Sequence, residues 1–125
     1  MNLKQLVLSG VMMLLLDSIY LSTFSNFFNN VVEKVQGTKI QLNLSGAILC
    51  YLFLIFGINY FILDQKKSLT DAFILGLVIY GVYETTSFTL LKNWSLNAVL
   101  LDTLWGGILF TLTVYLTRKT IRFLN

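Results

Sequence analysis

Three acidic residues lie inside long apolar stretches whose interiors contain no basic residue. They are Asp17, Glu84 and Asp102. A charged side chain near the middle of a membrane-spanning helix costs roughly 2.5–3.5 kcal/mol on insertion scales. A chain that accepts this cost three times needs acids that face one another, face water or bind something. These positions therefore define the candidate site.

The composition excludes an ordinary soluble domain. The chain has 125 residues, of which 56% are hydrophobic and 12% are charged, whereas soluble domains contain about 25% charged residues. Four stretches approach the length of about 20 apolar residues that crosses a bilayer, and they lack the period-two alternation of barrel strands. We predict an all-α fold, a four-helix transmembrane bundle that forms a single integral membrane domain over residues 1–125. Its predicted spans are approximately 3–24, 46–63, 72–91 and 96–117.

The first apolar stretch has some features of a cleavable signal sequence, because Lys4 precedes a run of apolar residues. Asp17 interrupts that run, and the residues from Ser22 to Ser25 lack a small-x-small cleavage pattern. We therefore expect a retained helix.

The basic residues predict the orientation. With the N-terminus in the cytoplasm, six basic residues fall on the cytoplasmic side, namely Lys4, Lys66, Lys67, Arg118, Lys119 and Arg122. Only Lys34, Lys39 and Lys92 fall on the other side. The positive-inside rule then predicts that both termini are cytoplasmic. No basic stripe suited to nucleic acid is present, so we expect membrane lipids as partners and no nucleic acid.

The loop between the first two spans, from Ser25 to Ser45, is the one long connection. Its apolar residues recur at near-helical spacing, at Phe27, Phe28, Val31, Val32 and Val35. This pattern predicts a short amphipathic helix in the first outer loop, ended by Gly37. Two alternatives stay open, a helix lying in the membrane interface and a lid packed on the bundle.

Counting along the spans places the three acids at one depth. Asp17 and Glu84 lie about seven residues before the outer ends of their spans, and Asp102 lies about six residues after the outer start of its span. At 1.5 Å per residue, all three are roughly 9–11 Å below the outer surface. Polar and aromatic residues on the same helix faces complete the predicted site for a substrate or an ion, which comprises Asp17, Tyr20, Tyr83, Glu84, Thr86, Ser87, Asp102 and Trp105.

The residues that are missing narrow the chemistry. The chain has no His and a single Cys, which argues against a zinc site or a Cys–His nucleophile. We expect no cofactor. Carboxylates alone suit Mg²⁺ or Ca²⁺, a proton, or an organic cation, and if a metal ion binds, its ligands are Asp17, Glu84 and Asp102. Cys50 is expected to pack beside Gly46, and the pair Gly106–Gly107 to form a packing notch.

These motifs resemble the membrane protein family known as domain of unknown function 2177. The resemblance comprises Leu16-Asp17-Ser18-Ile19-Tyr20-Leu21, Gly76, Tyr83-Glu84-Thr85-Thr86, Trp94, and Asp102-Thr103-Leu104-Trp105-Gly106. The family usually has Asp at position 84, Asn at 87 and Trp at 20, where this chain has Glu84, Ser87 and Tyr20. The resemblance implies a four-helix integral membrane protein and supplies no activity.

The sequence favours a multi-pass membrane protein that binds or transports a cation or a proton, over an enzyme. Two alternatives remain open: an intramembrane enzyme that modifies a lipid, and a non-catalytic membrane subunit or assembly factor. Polar groups that merely join helices also remain open as an explanation of the acids. A bundle of this size is small for a lone pathway, so we expect a homo-oligomer.

Overall fold

The computed structural model describes residues 1–125 and contains helices and no strands. The helices, in chain order, are α1 (Leu3–Thr23), α2 (Ser25–Gln36), α3 (Leu44–Ile58), α4 (Leu69–Leu90) and α5 (Leu96–Leu124). A π-helical turn, Asn59–Leu63, continues α3. Four helical stretches are long and apolar enough to cross a membrane, namely α1, α3 with its π-helical turn, α4 and α5. The prediction of an all-α bundle with four transmembrane helices is confirmed.

Each of the four long helices begins at a polar N-cap. The side chains of Asn2, Asn43, Ser68 and Ser95 accept hydrogen bonds from backbone N–H groups in the first turns of α1, α3, α4 and α5. These bonds satisfy N–H groups that have no partner within the helix. The sequence thus marks the starts of the helices, which lie within about three residues of the predicted span starts.

α4 and α5 form the closest helix pair, because glycine lies on both sides of their contact. A Cβ atom added to Gly76 would lie 2.1 Å from the carbonyl oxygen of Gly106, and one added to Gly106 would lie 2.4 Å from Cγ of Tyr80. Gly107 faces Phe73 in the same way, at 2.7 Å. The predicted notch at Gly106–Gly107 is present, and Gly76 completes it. Small residues of this kind let helix backbones approach closely in a membrane.

α2 lies against the bundle as a lid. Val31 is buried, and Phe28 lies with its ring 5.8 Å from that of Tyr20 on α1. The polar residues Glu33 and Lys34 are exposed. Gly37 ends the helix with φ of 82°, a left-handed conformation that glycine adopts without strain. The predicted amphipathic helix and its end are therefore present, and its apolar face covers the bundle.

The π-helical turn departs from the expectation of continuous spanning helices. The N–H of Asp64 donates to the carbonyl of Asn59, five residues earlier, at 2.8 Å. Asn59 is fully buried, accepts a hydrogen bond from Gln5 and donates one to Ser9. The widened turn thus places an amide between α1 and α3, and this network joins the two helices. Tyr60, the other polar residue of this region, is half exposed instead.

The end of the bundle opposite α2 gathers the chain termini and the α3–α4 turn. The terminal amine of Met1 lies 3.6 Å from Asp64, and Lys4 donates to Asn125 at 3.0 Å. Arg118 donates to the carbonyl of Lys67. Most of the basic residues therefore lie at one end, as the orientation prediction requires. The cytoplasmic placement of that end stays a prediction.

Gly76→Ala should weaken the bundle. The added methyl group meets backbone, which cannot rotate away, so α4 and α5 must separate, and overpacking of this kind costs about 1–3 kcal/mol. We expect a lower unfolding temperature of the detergent-purified protein. Gly57→Ala is the control, because a Cβ there meets no atom within 4 Å. Equal stability of both variants would contradict the proposed close contact.

Candidate functional site

Asp17 joins three helices through its carboxylate. The indole Nε1–H of Trp105 on α5 donates to Oδ1 at 2.9 Å, and the hydroxyl of Tyr51 on α3 donates to Oδ2. Only 6% of Asp17 is exposed. Both oxygens of this buried acid therefore have a donor, and neither donor is a cation.

A stacked pair of aromatic rings links Asp17 to Asp102. The rings of Tyr20 and Trp105 are parallel within 2° and lie 4.5 Å apart. While Trp105 donates to Asp17, the hydroxyl of Tyr20 donates to Oδ1 of Asp102 at 3.2 Å. Each aromatic side chain thus donates a hydrogen bond to the acid on the other helix, and two reciprocal hydrogen bonds join α1 and α5.

Glu84 receives its donor from the loop that connects α4 and α5. The indole Nε1–H of Trp94 donates to Oε1 at 3.0 Å, and only 2% of Glu84 is exposed. Oε2 has no hydrogen-bond donor among the protein groups. All three acids are therefore held by aromatic N–H or O–H groups, and Glu84 has one oxygen left over.

Glu84 and Asp102 form a carboxyl pair. Glu84 lies on α4 and Asp102 on the adjoining helix α5, and both side chains line one cavity of about 320 Å³. No basic side chain bonds to either, since the only ion pair of the chain joins the terminal amine to Asp64. Two carboxyl groups that share one cavity without a basic partner repel each other when both are ionised.

The mouth cavity is the name we give to this space of about 320 Å³. Its walls come from α1, α2, the segment that follows α2, α4, the α4–α5 loop and α5, and are Leu21, Phe28, Val32, Gln36, Ile40, Gln41, Tyr83, Glu84, Trp94 and Asp102. Most of these groups are apolar, and the carboxyl pair lies among them. The lid helix α2 therefore covers the acids and leaves them a cavity.

The structure brings two of the three predicted acids together directly and connects the third to them through aromatic side chains. Glu84 and Asp102 lie side by side, whereas Asp17 reaches them only through Tyr20 and Trp105. No group of three or more acidic, histidine or cysteine side chains is close enough to hold a metal ion. A metal site with Asp17, Glu84 and Asp102 as common ligands does not fit this arrangement, because Asp17 already uses both oxygens for Tyr51 and Trp105.

The other predicted site residues have different positions. Tyr83 lines the mouth cavity beside Glu84, although 62% of its side chain is exposed. Ser87 lies one turn after Tyr83 and is half-buried, whereas Thr86 is exposed and does not line the mouth cavity. Thr86 therefore has no contact that would place it in the site.

Sequence reasoning missed two donors, Tyr51 and Trp94. Tyr51 lies seven residues after the start of α3 at Leu44, so the same depth count that grouped the acids would have placed it beside them. Trp94 lies in the short loop outside the spans. It bonds Glu84 because the loop folds back over the end of α4, which a count along the helices does not reveal.

A second cluster of polar side chains lies near the N-terminal end of α1, toward the end of the bundle opposite the acids. There Asn59 accepts from Gln5 and donates to Ser9. Along the helices, the fully buried residues Met13, Ile58, Leu109 and Phe110 lie between this cluster and the acids. The acids are therefore separated from that end by an apolar layer.

One family of known proteins matches nearly the whole chain. The family described as "Predicted membrane protein (DUF2177)" matches residues 2–118. The chain belongs to this family. Membership agrees with the four apolar helices, and the protein is a multi-pass membrane protein. No curated protein and no solved structure matches the chain, and the family description names no activity.

Asp17→Ala should destabilise the bundle strongly. Both Tyr51 and Trp105 would lose their acceptor, and each buried donor left unpaired costs about 1–3 kcal/mol. Asp17→Asn is the matched control, because an amide can accept from the indole and donate to the phenol oxygen. We expect a much lower unfolding temperature for the alanine variant alone. Similar losses in both variants would show that charge, and not hydrogen bonding, holds this contact.

Proposed function

We propose that the protein binds a cation or a proton at the Glu84–Asp102 pair, reached from the α2 side of the bundle. The observation that carries the proposal is a carboxyl pair without a basic partner, lining a cavity within an otherwise apolar bundle. Intramembrane acids are costly and generally mark binding sites or proton relays. The free oxygen of Glu84 supplies an acceptor that no protein group uses.

The three acids take different roles in this proposal. Glu84 and Asp102 bind the ligand, whereas Asp17 positions Trp105 and, through the ring stack, Tyr20. Tyr20 in turn fixes the orientation of the Asp102 carboxyl group. In this proposal Asp17 serves only to join helices, whereas Glu84 and Asp102 bind the ligand, and Asp102 also joins α5 to α1 through Tyr20.

Binding from one side is supported by the apolar layer beneath the acids. Met13, Ile58, Leu109 and Phe110 are each fully buried, and along their helices they lie between the level of the pair and that of the Ser9–Asn59 network. Transport, the broader form of the proposal, requires this layer to open. A binding protein requires no such movement, so flux across a membrane separates the two.

Cation binding should change the fluorescence of Trp94. Trp94 bonds Glu84, whereas the only other tryptophan, Trp105, bonds Asp17. We expect the fluorescence of the protein in nanodiscs to titrate saturably with tetramethylammonium or Na⁺, and the fluorescence change to be lost in Trp94→Phe. Glu84→Gln should weaken binding at least about tenfold, which corresponds to about 1.4 kcal/mol.

Glu33→Gln, which changes an exposed acid on α2, is the control and should bind the cation normally. Unchanged titration in Glu84→Gln and Asp102→Asn would overturn the proposal, and cation flux into proteoliposomes tests transport.

Asp102→Asn should stabilise the ligand-free protein while it abolishes binding. An amide at this position accepts from Tyr20, donates to Glu84 and removes the repulsion within the pair. Substitutions that relieve a strained binding site commonly add about 0.5–2 kcal/mol. We expect a higher unfolding temperature near neutral pH, compared with no change beyond about 0.5 kcal/mol for the surface variant Glu33→Gln. A large loss of stability would instead assign Asp102 a structural role.

A further inference from the structure

A second cavity reaches the carboxyl pair from the side of the bundle. It has a volume of about 200 Å³ and is lined by Cys50 and Leu54 of α3, Ile79, Tyr80 and Tyr83 of α4, and Asp102. We call it the lateral cleft. Tyr83 and Asp102 line both the lateral cleft and the mouth cavity. The two spaces therefore adjoin at Tyr83 and Asp102.

The lateral cleft opens toward lipid because α3 and α4 do not pack closely on each other. α4 packs extensively on α5, whereas α3 contacts mainly α1 and has little contact with α4. Cys50 and Tyr83, on opposite walls, are both exposed in the middle portions of membrane-spanning helices. An exposed surface at that position faces hydrocarbon. Apart from Asp102, the walls are apolar or aromatic, so an apolar chain can enter from the bilayer.

The chemistry changes along the cleft from apolar to acidic. Asp102 is the acid that lines the cleft, and Glu84, which shares the mouth cavity with Asp102, is only 2% exposed and has no donor at Oε2. The rings of Tyr80 and Tyr83 line the approach, and aromatic faces attract organic cations. A small hydrated metal ion gains nothing from an apolar side opening, and it gives up its water reluctantly. Charge complementarity at the end of an apolar cleft instead suits an amphiphile with a positive head.

We propose that the ligand is a lipophilic organic cation that enters sideways from the bilayer between α3 and α4, an inference that rests on the proposed function. Its apolar chain lies along the lateral cleft, beside Cys50 and Leu54. Its cationic head lies at Asp102 and Glu84 and neutralises the pair. Because the cleft is open to lipid, the chain extends into hydrocarbon, and the volume of the cleft does not limit its length.

Cys50 is the only cysteine of the chain and lies on the wall of the cleft, so it reports occupancy. The experiment measures the rate at which a membrane-permeant maleimide modifies Cys50 in proteoliposomes. Dodecyltrimethylammonium is the probe, at concentrations that leave the vesicles intact. At ten times its dissociation constant it should slow the reaction about tenfold. Dodecyl maltoside, which has the same chain and no charge, should leave the rate unchanged.

Two variants make the measurement specific. Asp102→Asn should remove the protection, because the head loses its charged partner. Leu49→Cys in a Cys50→Ala background moves the thiol to a neighbouring exposed position outside the cleft, and the probe should not protect it. Protection by the neutral amphiphile, or equal protection of the thiol at position 49, would overturn the proposal.

A binding measurement covers the case in which Cys50 reacts too slowly to follow. Cys50→Trp fills the cleft from an exposed position, so it should weaken binding of dodecyltrimethylammonium, read as displacement of tetramethylammonium, at least about tenfold. Binding of tetramethylammonium itself, which reaches the pair through the mouth cavity, should persist.

If tetramethylammonium binds and the long-chain probe gains no affinity from the cleft, lateral entry fails and the proposed function stands. If neither cation binds, both fail. Cross-linking of Cys50 between two copies that seals the cleft would also overturn lateral entry.

Discussion

The structure depends on how three acids are accommodated in a bundle that offers them no cation. Each carboxyl group is held by an aromatic N–H or O–H donor: Trp105 and Tyr51 for Asp17, Tyr20 for Asp102 and Trp94 for Glu84. Tyrosine and tryptophan suit this task, because a large apolar ring fits among hydrocarbon while its single polar atom meets the acid. The same hydrogen bonds join α1, α3 and α5, so the contacts that build the site also hold the bundle together.

Much of the fold could be predicted from the sequence. The four apolar stretches gave the transmembrane helices, and Gly37 gave the end of α2, because both features depend on local composition and conformation. The carboxylate depth count also grouped residues that lie near one another. These predictions succeeded because a membrane fixes the helix direction and leaves little freedom in height.

The remaining features depend on rotation and on loops, which counting along helices does not determine. A shared depth does not distinguish an acid whose oxygens are both bonded, as in Asp17, from one with an oxygen to spare, as in Glu84. Thr86 was predicted to join the site and instead faces outward. Cys50 was expected to pack beside Gly46 and is exposed instead, because it lies on the wall of the lateral cleft, where α3 and α4 do not pack closely on each other. The π-helical turn at Asn59 arises from a tertiary contact with Gln5 and Ser9 that the local sequence does not announce.

The glycine contact between α4 and α5 has a consequence for the carboxyl pair. Glu84 and Asp102 lie on these two helices, and Gly76 and Gly106 hold the backbones together one to two turns away. The repulsion between the acids therefore cannot be relieved by moving α4 and α5 apart, because the glycine contact holds these two helices together. Under the proposed function, the affinity of the pair for a cation depends partly on Gly76 and Gly106, which do not line the mouth cavity. The spacing of the two carboxyl groups therefore depends on Gly76 and Gly106, because a methyl group at either position would push α4 and α5 apart.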